Sequence, residues 1–145
     1  MLTQADANRL LSLLKRLVKQ ETLVFPSQGE SGQWELKSVD GTEAFIVDAQ
    51  RKSMIKVSKC TLQERYRVVE ILLRLDIDGP PHDNPDGVEV PCPHIHIYRE
   101  GFEDKWAFPL PVESFSDTTD LPLSLREFLV YCNVQAIPPI QGRIL

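Results

Sequence analysis

Cys92-Pro93-His94-Ile95-His96-Ile97-Tyr98-Arg99 is the stretch that decides the fold reading. Side chains alternate along an extended chain, so Cys92, His94, His96 and Tyr98 share one face and Ile95 and Ile97 the other. One apolar and one polar face is the pattern of a half-buried strand in an antiparallel sheet. The polar face is then a candidate functional surface, an expectation that fails if both imidazoles are packed into the core.

Upstream, residues 79–93 hold five prolines and two glycines together with His82, Asp83, Asn84 and Asp86, so the reading is one long loop without a regular element. Residues 66–78 before it are nearly continuous and apolar. Periodicity alone does not separate strand from helix there; the β-branched residues and the abrupt Asp78-Gly79-Pro80-Pro81 stop favour a long strand. Downstream, Glu100-Gly101 turns the chain into a further strand over 105–109.

Further out, Thr3 is a candidate N-cap with Asp6 three residues later. Leu10, Leu13, Leu14, Leu17 and Val18 then follow at helical spacing, which predicts an amphipathic helix over 2–20. Strands are expected over 22–25, 33–39, 43–48 and 53–58, with Asp40-Gly41 as a hairpin turn. Residues 113–120 read as an acidic, solvated linker. Asp120 caps a second helix bearing Pro122 in its first turn, with Leu121, Leu125, Phe128, Leu129 and Cys132 on one face and Asn133 at its stop. The tail 136–145 is expected to be extended, and Trp34, Phe45, Phe108 and Phe128 are assigned to packing. The fold class is therefore α+β: an antiparallel sheet, with closure into a small barrel left open, between an N-terminal and a C-terminal amphipathic helix, in a single domain over 1–145.

A length of 145 residues with 42% hydrophobic content supports a core without staples. The net charge of −5 and the lack of a long Lys/Arg run argue against a protein that coats nucleic acid; any such contact has to be local. No apolar stretch is long enough for a membrane span, no secretory signal is visible, and three widely spaced cysteines suit reduced thiols, so the expected compartment is the cytoplasm.

Two imidazoles on one strand face can act as acid and base or can hold a metal together. His94-x-His96-x-x-x-Glu100 resembles the first part of a cupin metal site, but no histidine follows His96 to complete it. A zinc site of Cys92, His94 and His96 with His82 or Asp83 stays open. The preferred reading needs no metal or other cofactor: breaking RNA through its 2′-OH takes a base, an acid and a cation for the phosphorane charge. The assigned catalytic group is His94, His96, Arg74, Tyr98 and Lys105, with His82, Asp83, Arg99 and Trp106 as binding residues and Tyr98 or Trp106 as base-stacking surfaces. Asp76 and Asp78 either orient an imidazole or ease their strand into its turn.

The blocks Gly79-Pro80-Pro81-His82, Asn84-Pro85-Asp86-Gly87, Pro93-His94-Ile95-His96-Ile97-Tyr98 and Asp104-Lys105-Trp106-Ala107 resemble a family of uncharacterised bacterial and prophage proteins over most of the chain. That resemblance implies a mobile-element setting and no specific activity. Two expectations follow from it. One is an RNA-cleaving, toxin-like enzyme centred on His94 and His96. The other is a non-enzymatic binder that blocks a host defence complex, anti-CRISPR or antitoxin-like. RNA or a host or phage protein complex is the expected partner, a homodimer is an open option, and no membrane is involved.

Overall fold

The computed structural model describes residues 1–142. Helix α1 (Gln4–Ser12) starts where Thr3 accepts the Asp6 backbone N–H, as the capping pattern requires, and it buries Ala7 and Leu10. It does not run to residue 20. Leu13 is extended, and β1 (Lys15–Leu17) pairs antiparallel with β3 (Ser31–Ser38). Leu14 and Val18, placed on the helix's apolar stripe by spacing, are half exposed. The open edge of β3 takes those backbone groups as ladder partners, and that tertiary demand outweighs local helical periodicity.

Strands β1, β3, β4 (Ala44–Gln50), β5 (Cys60–Tyr66), β6 (Glu70–Ile77), β9 (His94–Ile97) and β10 (Ala107–Pro109) form a seven-stranded sheet in the order β1-β3-β4-β5-β6-β9-β10. Every neighbouring pair is antiparallel, and the sheet stays open between β1 and β10 rather than closing into a barrel. The Asp40-Gly41 turn forms as expected, with Gly41 at φ +77°. Short β2 (Leu23–Phe25) pairs in parallel with β11 (Ile140–Gly142), so the tail is extended as far as residue 142, and 143–145 lie outside the described residues.

The expected strand over 53–58 is absent. Those residues form turns, and the strand begins instead at Cys60. Glu64 hid it, because a carboxylate stands at a buried position of an otherwise regular alternation, Cys60, Leu62, Glu64 and Tyr66. The long strand over 66–78 is also divided: Tyr66 closes β5, Arg67–Val69 turn, and β6 follows.

One sheet face carries Phe45, Val47, Ala49, Leu62, Leu73, Leu75 and Ile95. It forms one hydrophobic cluster with α1 and with α2 (Leu121–Tyr131), whose Leu125, Phe128 and Leu129 are fully buried. Asp120 caps α2 and Asn133 stands at φ +64° just beyond it, as read from the sequence. Phe45 and Phe128 are core residues and Trp34 packs against the core, but Phe108, on an edge strand, is 42% exposed. No helix among the described residues is long and apolar enough to cross a membrane.

Candidate functional site

The second sheet face is polar, and register aligns its side chains in two rows. Asp48, Gln63, Arg74 and His96 lie opposite one another across β4, β5, β6 and β9. Gln50, Thr61, Asp76 and His94 form the next row. Across the first row Asp48 accepts from Gln63 at 2.9 Å and forms an ion pair with Arg65 at 2.6 Å.

The proline-rich loop folds back over the β9 end of this face. It is not wholly irregular: β7 (His82–Asp83) and β8 (Glu89–Val90) make a small antiparallel ribbon. The Asn84 side chain donates to the Ala107 carbonyl at 2.9 Å and accepts the Ala107 N–H at 2.8 Å, so the loop is pinned to the sheet's edge strand. His82 is thereby set against the two strand histidines, with ring centroids 4.6 Å from His96 and 6.0 Å from His94; His94 and His96 are 4.9 Å apart.

His94 and His96 are 2% and 0% exposed, not the open surface that alternation suggested. They nevertheless make polar contacts, and their alternation with core residue Ile95 along β9 sets them on the sheet face opposite the hydrophobic cluster. His96 Nδ1 faces the Asp104 carbonyl at 2.8 Å, and its Nε2 lies 3.1 Å from Asp76 Oδ2 and 3.0 Å from Arg74 Nη2. His94 Nδ1 faces the Pro91 carbonyl at 3.3 Å, and its Nε2 is 3.2 Å from the same Asp76 oxygen. Burial pushes the Asp76 carboxyl up, but the His96 hydrogen bond and the Arg74, His96 and His94 charges outweigh it and hold the group at about 2. Arg74 also donates to Asp104 at 2.6 Å.

Asp76, His94 and His96 each offer one ligand-type atom, and these atoms all lie within 4.8 Å of one another. The Cys92 zinc alternative does not assemble: its sulfur accepts from the Gly79 N–H and donates to the Asp76 carbonyl, both at 3.1 Å. Asp83 is exposed and outside the cluster.

Beside the cluster opens a pocket of about 440 Å³, whose wall includes Lys59, Thr61, Gln63, Arg74, Asp76, His82 and His94. A second pocket of equal volume lies by Leu17, Lys19, Glu21 and Trp34 and has no histidine in its wall.

Of the residues assigned from sequence, His82, His94, His96 and Arg74 are brought together. Tyr98 is not: it is buried in the hydrophobic cluster with its hydroxyl donating to the Leu2 carbonyl at 2.7 Å. The register slip between Glu64 and Arg65 explains this, because the extra β6 residue, Leu72, is buried in the core and its carbonyl receives the Tyr98 N–H. The Lys105 side chain is exposed, and only its carbonyl joins the site, 2.8 Å from His82 Nε2. Arg99 stacks over Trp106 at 4.6 Å and also lies over Phe102, in the β9–β10 connection. Sequence reasoning gave no role to Asn84, Lys59 or Asp104. Asp76 was legible only as one option, through its alternation with Asp78.

Fold and site define an α+β protein with an open antiparallel sheet, apolar and helix-covered on one face and bearing a histidine–aspartate–arginine cluster on the other. The chain belongs to a family of unknown function, DUF6978, whose model matches residues 2–134. No curated protein and no solved structure was found to match it.

Proposed function

We propose that the chain is an RNA-cleaving enzyme acting in the cytoplasm in a mobile-element, toxin-like setting, with its chemistry in the pocket at Arg74, His82 and His94. The observation that carries this reading is the gathering of three imidazoles, of which His82 and His94 line one open pocket together with Arg74 and Lys59 while His96 is buried behind them. His82 suits proton transfer. Its Nε2 donates to the Lys105 carbonyl, so a neutral ring keeps its Nδ1 lone pair for a substrate hydroxyl.

In the proposed step the 2′-OH gives its proton to His82 and attacks phosphorus. The bond to the 5′ oxygen breaks, and that oxygen takes up the proton that His82 accepted, relayed through solvent in the open pocket. A 2′,3′-cyclic phosphate and a 5′-hydroxyl result. Arg74 and Lys59 stabilise the charge on the equatorial oxygens. The loop over 51–59 supports a local nucleic-acid contact despite the net charge of −5, since Arg51, Lys52, Lys56 and Lys59 lie in it without an acidic residue.

The test incubates purified protein with a single-stranded RNA and analyses the ends. Cleavage leaving cyclic phosphate ends is expected, with a loss of roughly 10²-fold or more for His82→Ala at unchanged thermal midpoint. No cleavage by the wild-type chain, or equal cleavage by the variant, overturns the reading.

A second reading has its own support. Met54, Ile55 and Val57 in that loop are 74%, 95% and 61% exposed, a surface that suits a protein-binding inhibitor of a host complex. Recovery of one stoichiometric host protein by an RNA-inactive chain would favour it.

A further inference from the structure

The geometry points to a divalent first-row transition metal site formed by Asp76 Oδ2, His94 Nε2 and His96 Nε2, the chemistry of zinc or ferrous iron. Proton counting is the first support. Asp76 Oδ2 stands 3.2 Å from His94 Nε2 and 3.1 Å from His96 Nε2, while both Nδ1 atoms face backbone carbonyls. A neutral imidazole carries one N–H, so each neutral ring turns a lone pair toward an oxygen at one of its two nitrogens. Filling all four contacts with protons requires two buried imidazolium ions, with ring centroids 4.9 Å apart and Arg74 alongside. Two imidazolium ions and the Arg74 guanidinium would then face only the Asp76 and Asp104 carboxylates, leaving the buried cluster net positive, which is unfavourable.

An ion removes the conflict. Both rings then carry their proton on Nδ1 and donate it to the Pro91 and Asp104 carbonyls, and both Nε2 lone pairs face the metal. Backbone partners of this kind fix the tautomer and orientation of metal-binding histidines. Spacing is the second support. Bond lengths near 2.0–2.2 Å at tetrahedral angles separate neighbouring ligand atoms by about 3.3 Å. The two carboxylate–imidazole separations are 3.2 and 3.1 Å, and the imidazole–imidazole separation lies within 4.8 Å, a wider bound that leaves the two rings to draw together on a bound ion. Two imidazoles and one carboxylate also leave positions open for water or substrate.

The other Asp76 oxygen is held by Thr61 at 3.2 Å and by Arg74 Nε at 3.4 Å. Arg74 Nη2, 3.0 Å from His96 Nε2, is the group an ion would displace. Its Nη1 retains Asp104 at 2.6 Å. Asp76 and His94 line the pocket, which supplies a route of entry.

This site belongs to the cluster to which RNA cleavage is assigned, yet ion binding is read without RNA, so the two proposals fail separately. Chelator-dialysed full-length protein is titrated with Zn²⁺ by calorimetry, and a parallel sample is titrated with Co²⁺ while its visible spectrum is recorded. One ion per chain, a raised thermal midpoint and cobalt d–d bands without a thiolate charge-transfer band are expected. Asp76→Asn and His94→Gln should each weaken Zn²⁺ at least as much as the roughly 10- to 100-fold loss caused by removing one outer-shell partner. Cys92→Ala should leave binding unchanged. Absence of binding to the wild-type chain, a thiolate band, or undiminished binding in a folded Asp76→Asn chain overturns the site. If both ligand variants unfold, the wild-type stoichiometry and cobalt spectrum alone decide.

Discussion

Asp40 closes the turn between β3 and β4 by accepting from the Ser38 hydroxyl at 2.6 Å and from the Thr42 N–H and hydroxyl at 3.1 and 2.8 Å. The Ser38 hydrogen bond, followed by the two from Thr42, lowers its carboxyl from an ordinary 3.8 to about 2. The folded chain therefore holds this proton less readily than the unfolded chain. Its stabilising contribution is present above the unfolded value and is lost as pH falls through about 2. The urea midpoint of Asp40→Asn should lie below that of the wild type at neutral pH, with the gap narrowing between pH 4 and pH 2. A gap constant across that range would count against the linkage. At the same scale, alternation alone exposed His94 and His96 as a pair. Their partners were beyond local reading, because Asp76 lies 18 and 20 positions away and Asn84 meets Ala107 across 23.

The β5–β6 connection shows how an element can hold against its own residues. Arg67 and Val68 sit at φ +50° and +66°, a region that a β-branched side chain resists. The antiparallel register on either side, Glu64 with Leu73 before the bulge and Tyr66 with Glu70 at the turn, imposes that geometry. Val68 is 58% exposed, so little packing is lost on truncation. Val68→Gly should raise stability by about 0.5–1 kcal/mol in urea denaturation, the relief of strain exceeding the added unfolded-state freedom. A destabilised variant would contradict this account. The same turn is why one continuous apolar run read as one strand: neither residue is a turn former, and nothing local marks the break. Likewise α1 is marked at its start by Thr3, whereas its end at Ser12 is dictated by β3.

Across the whole molecule, one contact joins β1, β5 and the end of α2. Lys15 and Glu64 are both fully buried, with Nζ 3.0 Å from Oε2, and the ammonium also donates to the Cys132 carbonyl at 3.0 Å. Neither Glu64 oxygen has a well-aligned hydrogen bond, and burial raises its pKa against the opposing pull of Lys15. Removing one partner strands a buried charge. Glu64→Ala should cost about 3–5 kcal/mol, whereas Lys15→Met with Glu64→Leu should recover most of that loss or exceed the wild type. Chemical denaturation of the three chains checks this, and a double variant as unstable as the single one would show that the pair itself holds the fold.

The sequence by itself determined the α+β class, both helix N-caps, the Asp40-Gly41 hairpin and the pairing of His94 with His96 on one strand face. Each of these depends on spacing of a few residues, which local sterics and alternation encode. Only the tertiary structure decided the strand at Cys60–Tyr66, the open sheet, the burial of the histidines beneath the β7–β8 ribbon and the meeting of Asp76, His94 and His96. Those features depend on register between strands far apart in the chain. A bulge there redirected Tyr98, and a distant lysine made a buried glutamate tolerable.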